Sequence, residues 1–528
     1  MAVTQIPNEL IEFGVKTFGT SSIMLGDTTT GTIDAADRNT GVGVDIFASL
    51  TTGDDNVAVG TSALTANTTG LHNTAVGSSA LVANTTASNN VAVGMDAMKA
   101  NTTGAQNVAV GQKALEANTT ASNNTAVGLV ALTLNTTGTQ NTAVGKGALS
   151  AATTADNNTA IGYHALDLTT TGERNTALGS LCLDANTTGN YNTGGGYAAL
   201  SENTTASNNT GFGYAALGNT TTGGNNTAVG YTALNTNTTG VSNTAVGQNA
   251  LGVSSTANNN TAVGKDSLGA LTTGGHNVAV GLNALVAQTT SNNCTAMGSG
   301  AGFVMTTGDK NVFIGREAGV ACTTGSNNTS VGGSAGYDAT DGSNNVFIGV
   351  NTRSDNAGTS TQIVLGPNAR SQGSGKFTVG TSTSTYSHLT VGGTSWSGSS
   401  DERLKKEIVD SPAGLSFIND LRPVNFKWKT KGEVDETLPH YEESSSEPVI
   451  GNSDTNTLTK HGFIAQEVKE VIDNHPEIKD GADIWEVNSD GIENFAPTAL
   501  IPMLVKSIQE LSAKCDNLQN EINTLKGE

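Results

Sequence analysis

The sequence contains few aromatic and few charged residues. Aromatic side chains make up 4% of the 528 residues and charged side chains 13%, whereas glycine occurs 65 times. This composition fits either low-complexity disorder or a repetitive β architecture that buries small side chains in narrow coils. A strict period separates the two, because disorder needs none.

Cysteine, basic clusters and long apolar stretches are also scarce, and each shortage excludes a class of protein. Cys182, Cys294, Cys322 and Cys515 are too scattered for a disulfide framework or a metal site, and we expect no cofactor. The net charge of −21, without a basic cluster, argues against nucleic-acid partners. No apolar stretch is long enough to span a bilayer, and residues 1–13 lack the pattern of a signal peptide. We therefore expect a soluble protein, made in the cytoplasm, that inserts into no membrane.

What the sequence does have is a repeat of 17 residues. A motif of the form N-[TV]-A-V-G recurs without a slip, and its register runs from Gly26 to Gly366, which gives 21 registers. The residue before the glycine is apolar in every register except one, where it is Gly195. A second apolar position, four residues after the glycine, is Leu or Met from Leu64 to Leu285.

Each repeat contains turn-forming residues between its apolar positions, such as Asn67–Gly70, and so predicts a strand, a turn, a short strand and a turn. One unit cannot bury its Val and Leu alone, but stacked units bury both in a continuous core. The pattern therefore predicts a mainly β protein with a parallel β-solenoid of 17-residue coils. We expect positive φ at the strand-ending glycines and side-chain ladders of asparagine between coils. The Asn-Thr-Thr segments are most simply interpreted as solvated turns.

The repeats resemble the head repeats of trimeric autotransporter adhesins and similar repeats of phage fibres, most closely at 315–319 and 332–336. This resemblance implies a left-handed β-roll assembled as a trimer, although the period here is longer than is usual in adhesin heads. The shaft is predicted to span 23–370. Residues 1–22 do not fit the repeat and are interpreted as a virion-attachment segment, and 371–400 as a Ser/Thr/Gly-rich connector or fibre tip.

The composition changes at Ser400, where charged residues, aromatics and helix formers become frequent. Three segments follow in order, SDERLKK at 400–406, LRPVNFKW at 421–428 and HGFIAQEV at 461–468, and then a helical tail. This ordered set closely resembles the intramolecular chaperone domain of endosialidase tailspikes. The resemblance covers 401–528 and implies an α+β domain that trimerises and folds the fibre before it, and then releases itself by autoproteolysis.

The resemblance also implies a Ser–Lys dyad. Ser400 is the predicted nucleophile and Lys405, five residues later, the predicted base, while Lys406 is interpreted as a solvated charge. Serine needs a base near neutral pH, and burial lowers the pKa of a lysine enough to provide one. The predicted cut lies between Ser400 and Asp401. His461 matches a family histidine that is tied to processing or folding, and we include it among the candidate catalytic residues.

The tail carries a heptad pattern and predicts a coiled coil over about 497–526. Its apolar positions alternate steps of three and four residues, at Ile501, Leu504, Ile508, Leu511, Cys515, Leu518, Ile522 and Leu525. Cys515 is interpreted as a small apolar residue of this seam. Three strands follow from the resemblance, and the sequence alone also fits two.

Together these features predict a structural phage tail fibre that attaches the virion to the host surface and is assembled in the host cytoplasm. We expect a homotrimer that binds tail or adaptor proteins through its N-terminus and a glycan or protein receptor on the host cell. Single-turnover self-cleavage would be its only chemistry. The alternatives are a glycan-degrading tailspike, which needs paired carboxylates in a concave site, and a bacterial trimeric adhesin, which needs secretion and a membrane anchor. An ice-binding solenoid is disfavoured because the recurring threonines are adjacent.

Overall fold

The computed structural model describes residues 15–18, 21–26, 35–381, 386–390, 396–398, 408–438, 440–447, 449, 459–478, 484–487 and 492–527. The chain divides into two compact units, Met1–Ser399 and Ser400–Glu528. Among the described residues, no helix is long and apolar enough to cross a membrane.

The N-terminal unit is a parallel β-solenoid. Strands β2 to β23 pair in parallel in chain order, whereas β1 pairs antiparallel with β2, and β24 pairs antiparallel with both β23 and β25. Partners are offset by 17 residues from β2 to β22, as in Thr125↔Thr142, and this makes 21 stacked strands with one 17-residue coil per repeat. The predicted solenoid and its coil length are thus confirmed. Its strands are β1 Val15–Phe18, β2 Ser22–Gly26, β3 Thr40–Gly43, β4 Val57–Val59, β5 Thr74–Val76, β6 Val91–Val93, β7 Val108–Val110, β8 Thr125–Val127, β9 Thr142–Val144, β10 Thr159–Ile161, β11 Thr176–Leu178, β12 Thr193–Gly195, β13 Thr210–Phe212, β14 Thr227–Val229, β15 Thr244–Val246, β16 Thr261–Val263, β17 Val278–Val280, β18 Thr295–Met297, β19 Val312–Ile314, β20 Thr329–Val331, β21 Val346–Ile348, β22 Ile363–Leu365, β23 Lys376–Gly380, β24 Tyr386–Thr390 and β25 Trp396–Gly398.

The core of each coil is made of small side chains and one leucine. In the coil that begins with β8, Ala126, Ala131 and Leu132 are fully buried. Val127, the residue before the glycine, is only half-buried and faces outward. The predicted core position of this valine is therefore wrong, because alternate residues of a strand face opposite sides and Ala126 takes the inward place. The predicted core position of the leucine is confirmed.

Near the C-terminal end of the solenoid, the large and the small side chain of the core exchange places between the leucine position and the inward strand position. The leucine position is glycine at Gly302, Gly319 and Gly336. In this part of the solenoid the inward strand position holds phenylalanine at Phe313 and Phe347, and a Cβ added at Gly319 would lie 2.4 Å from the ring of Phe313. The large ring thus fills the space that leucine fills elsewhere, which keeps the interior close-packed.

The strand-ending glycines have positive φ, as predicted. Gly128, for example, has φ 141°. A Cβ at this position would lie 2.4 Å from the carbonyl oxygen of Gly145 in the next coil. No other residue fits, because both the backbone conformation and the close approach of the coils exclude a side chain.

Two asparagine ladders run through the interior. In the first, Asn124 Oδ1 accepts a hydrogen bond from the backbone N–H of Asn141 (2.9 Å) and Asn124 Nδ2 donates to the carbonyl oxygen of Gly138 (2.9 Å). In the second, Asn118 Nδ2 donates to Asn101 Oδ1 (2.8 Å) and to the carbonyl oxygen of Ala121 (3.0 Å). Asn118 is fully buried, so the interpretation of the Asn-Thr-Thr segments as solvated turns is wrong for their asparagines.

The C-terminal unit contains three helices and two small antiparallel sheets in its described residues. Strand β26 pairs with β27, and β28 pairs with β29. The elements are α1 Leu415–Asp420, β26 Val424–Phe426, β27 Lys460–Gly462, α2 Ala465–Asn474, β28 Trp485–Val487, β29 Glu493–Phe495 and α3 Ile501–Lys526, with short 3-10 turns at Lys431–Glu433 and Pro497–Leu500. Its core consists of Ala413, Phe417, Leu421, Val468, Ile472, Ile478, Ile484 and Leu500.

Candidate functional site

The predicted dyad lies outside the described residues. Ser400, Asp401, Lys405 and Lys406 all fall within 399–407, so their assignments stay predictions. His461 is described: it is an exposed residue of β27 that pairs with Asn425 of β26.

The β26–β27 pair joins two of the sequence segments that define the candidate domain. Val424 lies opposite Gly462, and Phe426 lies opposite Lys460. A Cβ added at Gly462 would lie 3.1 Å from the ring of Phe426, so glycine leaves room for this ring against the strand. The Phe426 ring in turn packs edge-to-face on Trp428 at 5.1 Å. The segments at 421–428 and 461–468 therefore form one structural element.

An ion pair links the same two segments. Arg422 Nε donates to Glu467 Oε2 at 2.9 Å, and its Nη2 bonds to the other carboxylate oxygen. The arginine lowers the pKa of Glu467, and the carboxylate raises that of Arg422. Both side chains are exposed, so the pair contributes little to stability but fixes the start of α2 near β26.

His461 lies in a cleft of about 670 Å³. Its lining is mainly apolar and includes Phe426, Trp428, Phe463 and Phe495. The ionisable groups of the lining are the imidazole of His461, two lysines and the carboxylate of Glu493. This carboxylate accepts a hydrogen bond from Trp485 Nε1 at 2.9 Å. The described lining residues include no serine and no cysteine.

A second histidine, which the sequence analysis missed, connects α1 to the end of α2. His475 Nε2 lies 2.8 Å from Asp420 Oδ2, and Nδ1 lies 2.7 Å from Glu477 Oε1. The buried ring of Phe417 packs edge-to-face on the imidazole at 5.4 Å. The hydrogen bond with Glu477, and then that with Asp420, raises the pKa of His475 above its ordinary value. The signal in the sequence was a histidine directly after an amphipathic helix, two residues before a glutamate.

Helix α3 is fixed to α1 by a carboxylate. Glu510 Oε2 accepts a hydrogen bond from the backbone N–H of Leu415 at 2.8 Å, at the start of α1. On the same side of α3, Ser507 is buried and its hydroxyl donates to the carbonyl oxygen of Met503 at 2.8 Å. One side of α3 thus contacts the core of its own unit.

The predicted heptad seam lies on a different side of α3, and it is exposed. Ile508, for example, is 65% exposed and Leu525 is 88% exposed. The seam residues are Ile501, Leu504, Ile508, Leu511, Cys515, Leu518, Ile522 and Leu525, and none is buried in its own unit. Isoleucine with one cysteine alternates with leucine along the seam, a pattern that by itself favours two parallel strands over three.

The four thiols are free and fall into two classes. Cys182, Cys294 and Cys322 are buried in the solenoid, whereas Cys515 is exposed. Burial raises the pKa of Cys182 to about 12 and that of Cys294 and Cys322 to about 11. These three are therefore poor nucleophiles at neutral pH. In the described part of the chain, no group of three or more His, Cys, Asp or Glu side chains is placed to hold a metal ion.

Comparison with known proteins places one segment of the chain in a family. Residues 400–475 match the model of the family described as chaperone of endosialidase. The match contains the segments at 400–406, 421–428 and 461–468 and ends at His475, and it confirms the predicted resemblance over these residues. No curated protein matches the chain. The C-terminal unit therefore contains a segment similar to the chaperone of endosialidase, and it follows in the sequence a β-solenoid of 21 strands in 17-residue coils.

Proposed function

We propose that the chain is a trimeric phage tail fibre that attaches the virion to its host, and that its C-terminal unit aligns the three copies and then cuts itself off. The observation that carries this proposal is the chaperone match at 400–475, directly behind the solenoid. The solenoid supplies reach to a glycan or protein receptor, and the N-terminal segment binds tail or adaptor proteins. The completed fibre belongs to the virion and is assembled in the host cytoplasm.

The repeat itself creates the need for an aligning domain. The coils are nearly identical, so two copies shifted by one coil would make almost the same contacts as two aligned copies. Register is weakly specified in such repetitive strands. A C-terminal unit that associates first, through the exposed seam of α3, fixes one register for all coils behind it.

The self-cleavage follows from the chemistry of the dyad. Neutral Lys405 takes the proton of the Ser400 hydroxyl, and the serine oxygen attacks the carbonyl carbon of the Ser400–Asp401 bond. The Asp401 amine takes the proton and leaves, and water hydrolyses the resulting ester. A serine that attacks its own carbonyl carbon would close a four-membered ring. The attacking Ser400 therefore belongs to a neighbouring copy, which couples the cut to assembly.

His461 belongs to the same proposal. Its cleft is open and mainly apolar and includes no serine or cysteine among its described lining residues. In the proposed reaction the imidazole of His461 assists proton transfer to or from the dyad.

A denaturing gel of the purified full-length protein tests the proposal. We expect two fragments, with the smaller one beginning at Asp401. Ser400→Ala and Lys405→Ala should each give one uncut chain, while Lys406→Ala and Ser399→Ala, the matched controls, should still be cut. Cleavage of Ser400→Ala at the wild-type rate would contradict the dyad. A wild-type chain that forms trimers without any cut would make the C-terminal unit a retained chaperone.

A further inference from the structure

One side of the solenoid carries no charged side chain along its whole length, and one of its two columns of side chains is apolar. We define the strand face as the outward side chains of β2–β22, which are the residues three and one before each strand-ending glycine. The first column is Thr, Val or Ile throughout, and the second is Val, Ile, Leu, Met or Phe except at Gly195. Neither column holds a charged residue in any of these 21 strands. Many members of the second column are markedly exposed, among them Ile161 at 42% and Ile348 at 44%.

This uncharged surface is long enough to form an interface. Parallel strands are about 4.8 Å apart and three strand residues span about 10 Å, so 21 strands present about 1,000 Å², of which the apolar second column makes up about half. A standard protein–protein interface uses about 800 Å² per partner. Parallel sheets are generally covered on both faces, and an exposed apolar column that continues along 21 strands is typical of an interaction site.

The one interruption of the strand face is filled by its neighbour. Gly195 has no side chain, but a Cβ added there would lie 2.4 Å from Cδ1 of Phe212 in the next coil. The ring of Phe212 thus occupies the space that the glycine leaves open. A gap in a surface that faces only water has no packing cost, whereas a gap beneath a packed partner does. The filled gap therefore indicates that the strand face packs against a flat partner surface.

The partner that fits this surface is another copy of the same chain. A parallel copy has the same rise per coil, so each strand can meet its counterpart along the full length of the solenoid. The net charge of −21 would oppose such contact. The acidic side chains, however, lie in other columns of the coil, as at Asp96, Asp184 and Asp266. The inference also rests on the proposed function, since release of the C-terminal unit leaves only solenoid contacts to hold the copies together.

We propose that the strand face is the surface through which the copies of the solenoid pack, in parallel and in register. Residues of the second column then meet the same residues of a neighbouring copy. If a host-surface polymer bound to the strand face instead, the second-column side chains of different copies would lie far apart.

Cross-linking of single cysteines tests this contact. The background carries Ser400→Ala, which retains the C-terminal unit, and Cys515→Ser, which removes the exposed thiol and leaves only buried ones. Val246→Cys places a thiol on the strand face, and Thr239→Cys places one at an exposed position elsewhere on a neighbouring coil. With a short thiol-to-thiol cross-linker, Val246→Cys should give a band at twice the chain mass and Thr239→Cys should not.

The assembly mass, measured by light scattering on the same samples, separates the possible failures. An assembled protein without the Val246→Cys cross-link, or with equal cross-linking of both variants, would overturn the strand face and leave the proposed function intact. A monomeric protein would overturn the assembly in the proposed function as well.

A charge test supplies a second measurement. The triple variant Val229→Lys, Val246→Lys, Val263→Lys should lose assembly, because three ammonium groups per copy would be buried at the contact. The matched control is Thr222→Lys, Thr239→Lys, Thr256→Lys, which adds the same charge at three exposed positions. Equal assembly masses for the two triple variants would overturn the proposal.

Discussion

At the scale of single residues, neighbouring positions in a coil face opposite environments. Ala126 is fully buried, whereas Val127 is half-buried and points outward. Ala126→Asp should destabilise the solenoid by about 3 kcal/mol or more, because the carboxylate has no partner in the narrow interior. Val127→Asp should leave the coil folded and act instead on the contact between copies, because Val127 belongs to the strand face. Circular dichroism at low temperature measures whether the β structure is retained, and loss of the β signal in both variants would mean that the inward and outward positions are misassigned.

The pairing of these two residues also marks the limit of the sequence analysis. The strict period and the leucine column were sufficient to predict a stacked solenoid. They did not fix which apolar residue of the strand faces inward, since valine is the more apolar choice and alanine fits either side. The coil around Phe313 does show which residue faces inward. There phenylalanine replaces the usual alanine and glycine replaces the usual leucine, and such compensating sizes indicate that the two positions share one interior.

His475 is a pH-dependent contact in the C-terminal unit. Its pKa is raised in the folded state, so protonation is favoured by folding. The resulting stabilisation is fully present below the unfolded-state pKa of about 6.5 and is lost as the pH rises through the higher folded-state value. The unit should therefore unfold more easily at pH 9 than at pH 6. His475→Gln should remove this part of the dependence, while His440→Gln, at an exposed position, should preserve it.

Tryptophan fluorescence during urea unfolding can follow this effect, because Trp428 and Trp485 lie in the C-terminal unit. The Ser400→Ala background keeps the unit attached. The free energy of unfolding of the wild type should fall more between pH 6 and pH 9 than that of His475→Gln. An equal change in the two proteins would show that the hydrogen bonds of His475 to the two carboxylates do not stabilise the unit. No pattern in the sequence identifies both partners of His475, since Asp420 reaches the imidazole only after α1 and α2 have packed together.

At the scale of elements, α3 has two functional sides. Glu510 bonds to the start of α1 and Ser507 is buried on the same side, whereas the seam is exposed. In the Ser400→Ala background, Ile508→Lys should reduce the assembly mass measured by light scattering, because a charge on a coiled-coil seam is desolvated on association. Gln509→Lys, one residue away and also exposed, is the matched control. An unchanged mass for Ile508→Lys would mean that the seam does not join copies.

The same measurement counts the strands. The seam pattern alone favours two, while the family resemblance implies three. Three copies would show that contacts outside α3 select the number of strands, and the strand face of the solenoid provides such contacts. Two copies would contradict the proposed trimer but leave the assembly itself in place.

At the scale of the whole molecule, different parts of the chain would determine the direction and the register of the assembly. The solenoid contains 21 nearly equivalent strands and specifies direction and spacing but not register. At about 4.8 Å per coil, it should appear in electron micrographs as a rod of about 100 Å. The C-terminal unit has no internal repeat and so can set one register for every coil behind it. The sequence predicted this division from the change in composition at Ser400, whereas the geometry of 399–407 lies outside the described residues.

Deletion of 401–528 before folding tests this division of roles. Without the aligning unit, copies should associate through the strand face in mixed registers, which leaves coils uncovered at both ends and leads to aggregation. The matched comparison is the full-length chain, in which the proposed cut would remove the unit only after assembly. The two products end at the same residue, so any difference in solubility or mass reflects the history of assembly alone. Soluble trimers from the truncated chain, identical in mass and melting temperature to the processed fibre, would show that the solenoid aligns itself and that the C-terminal unit is dispensable as a chaperone.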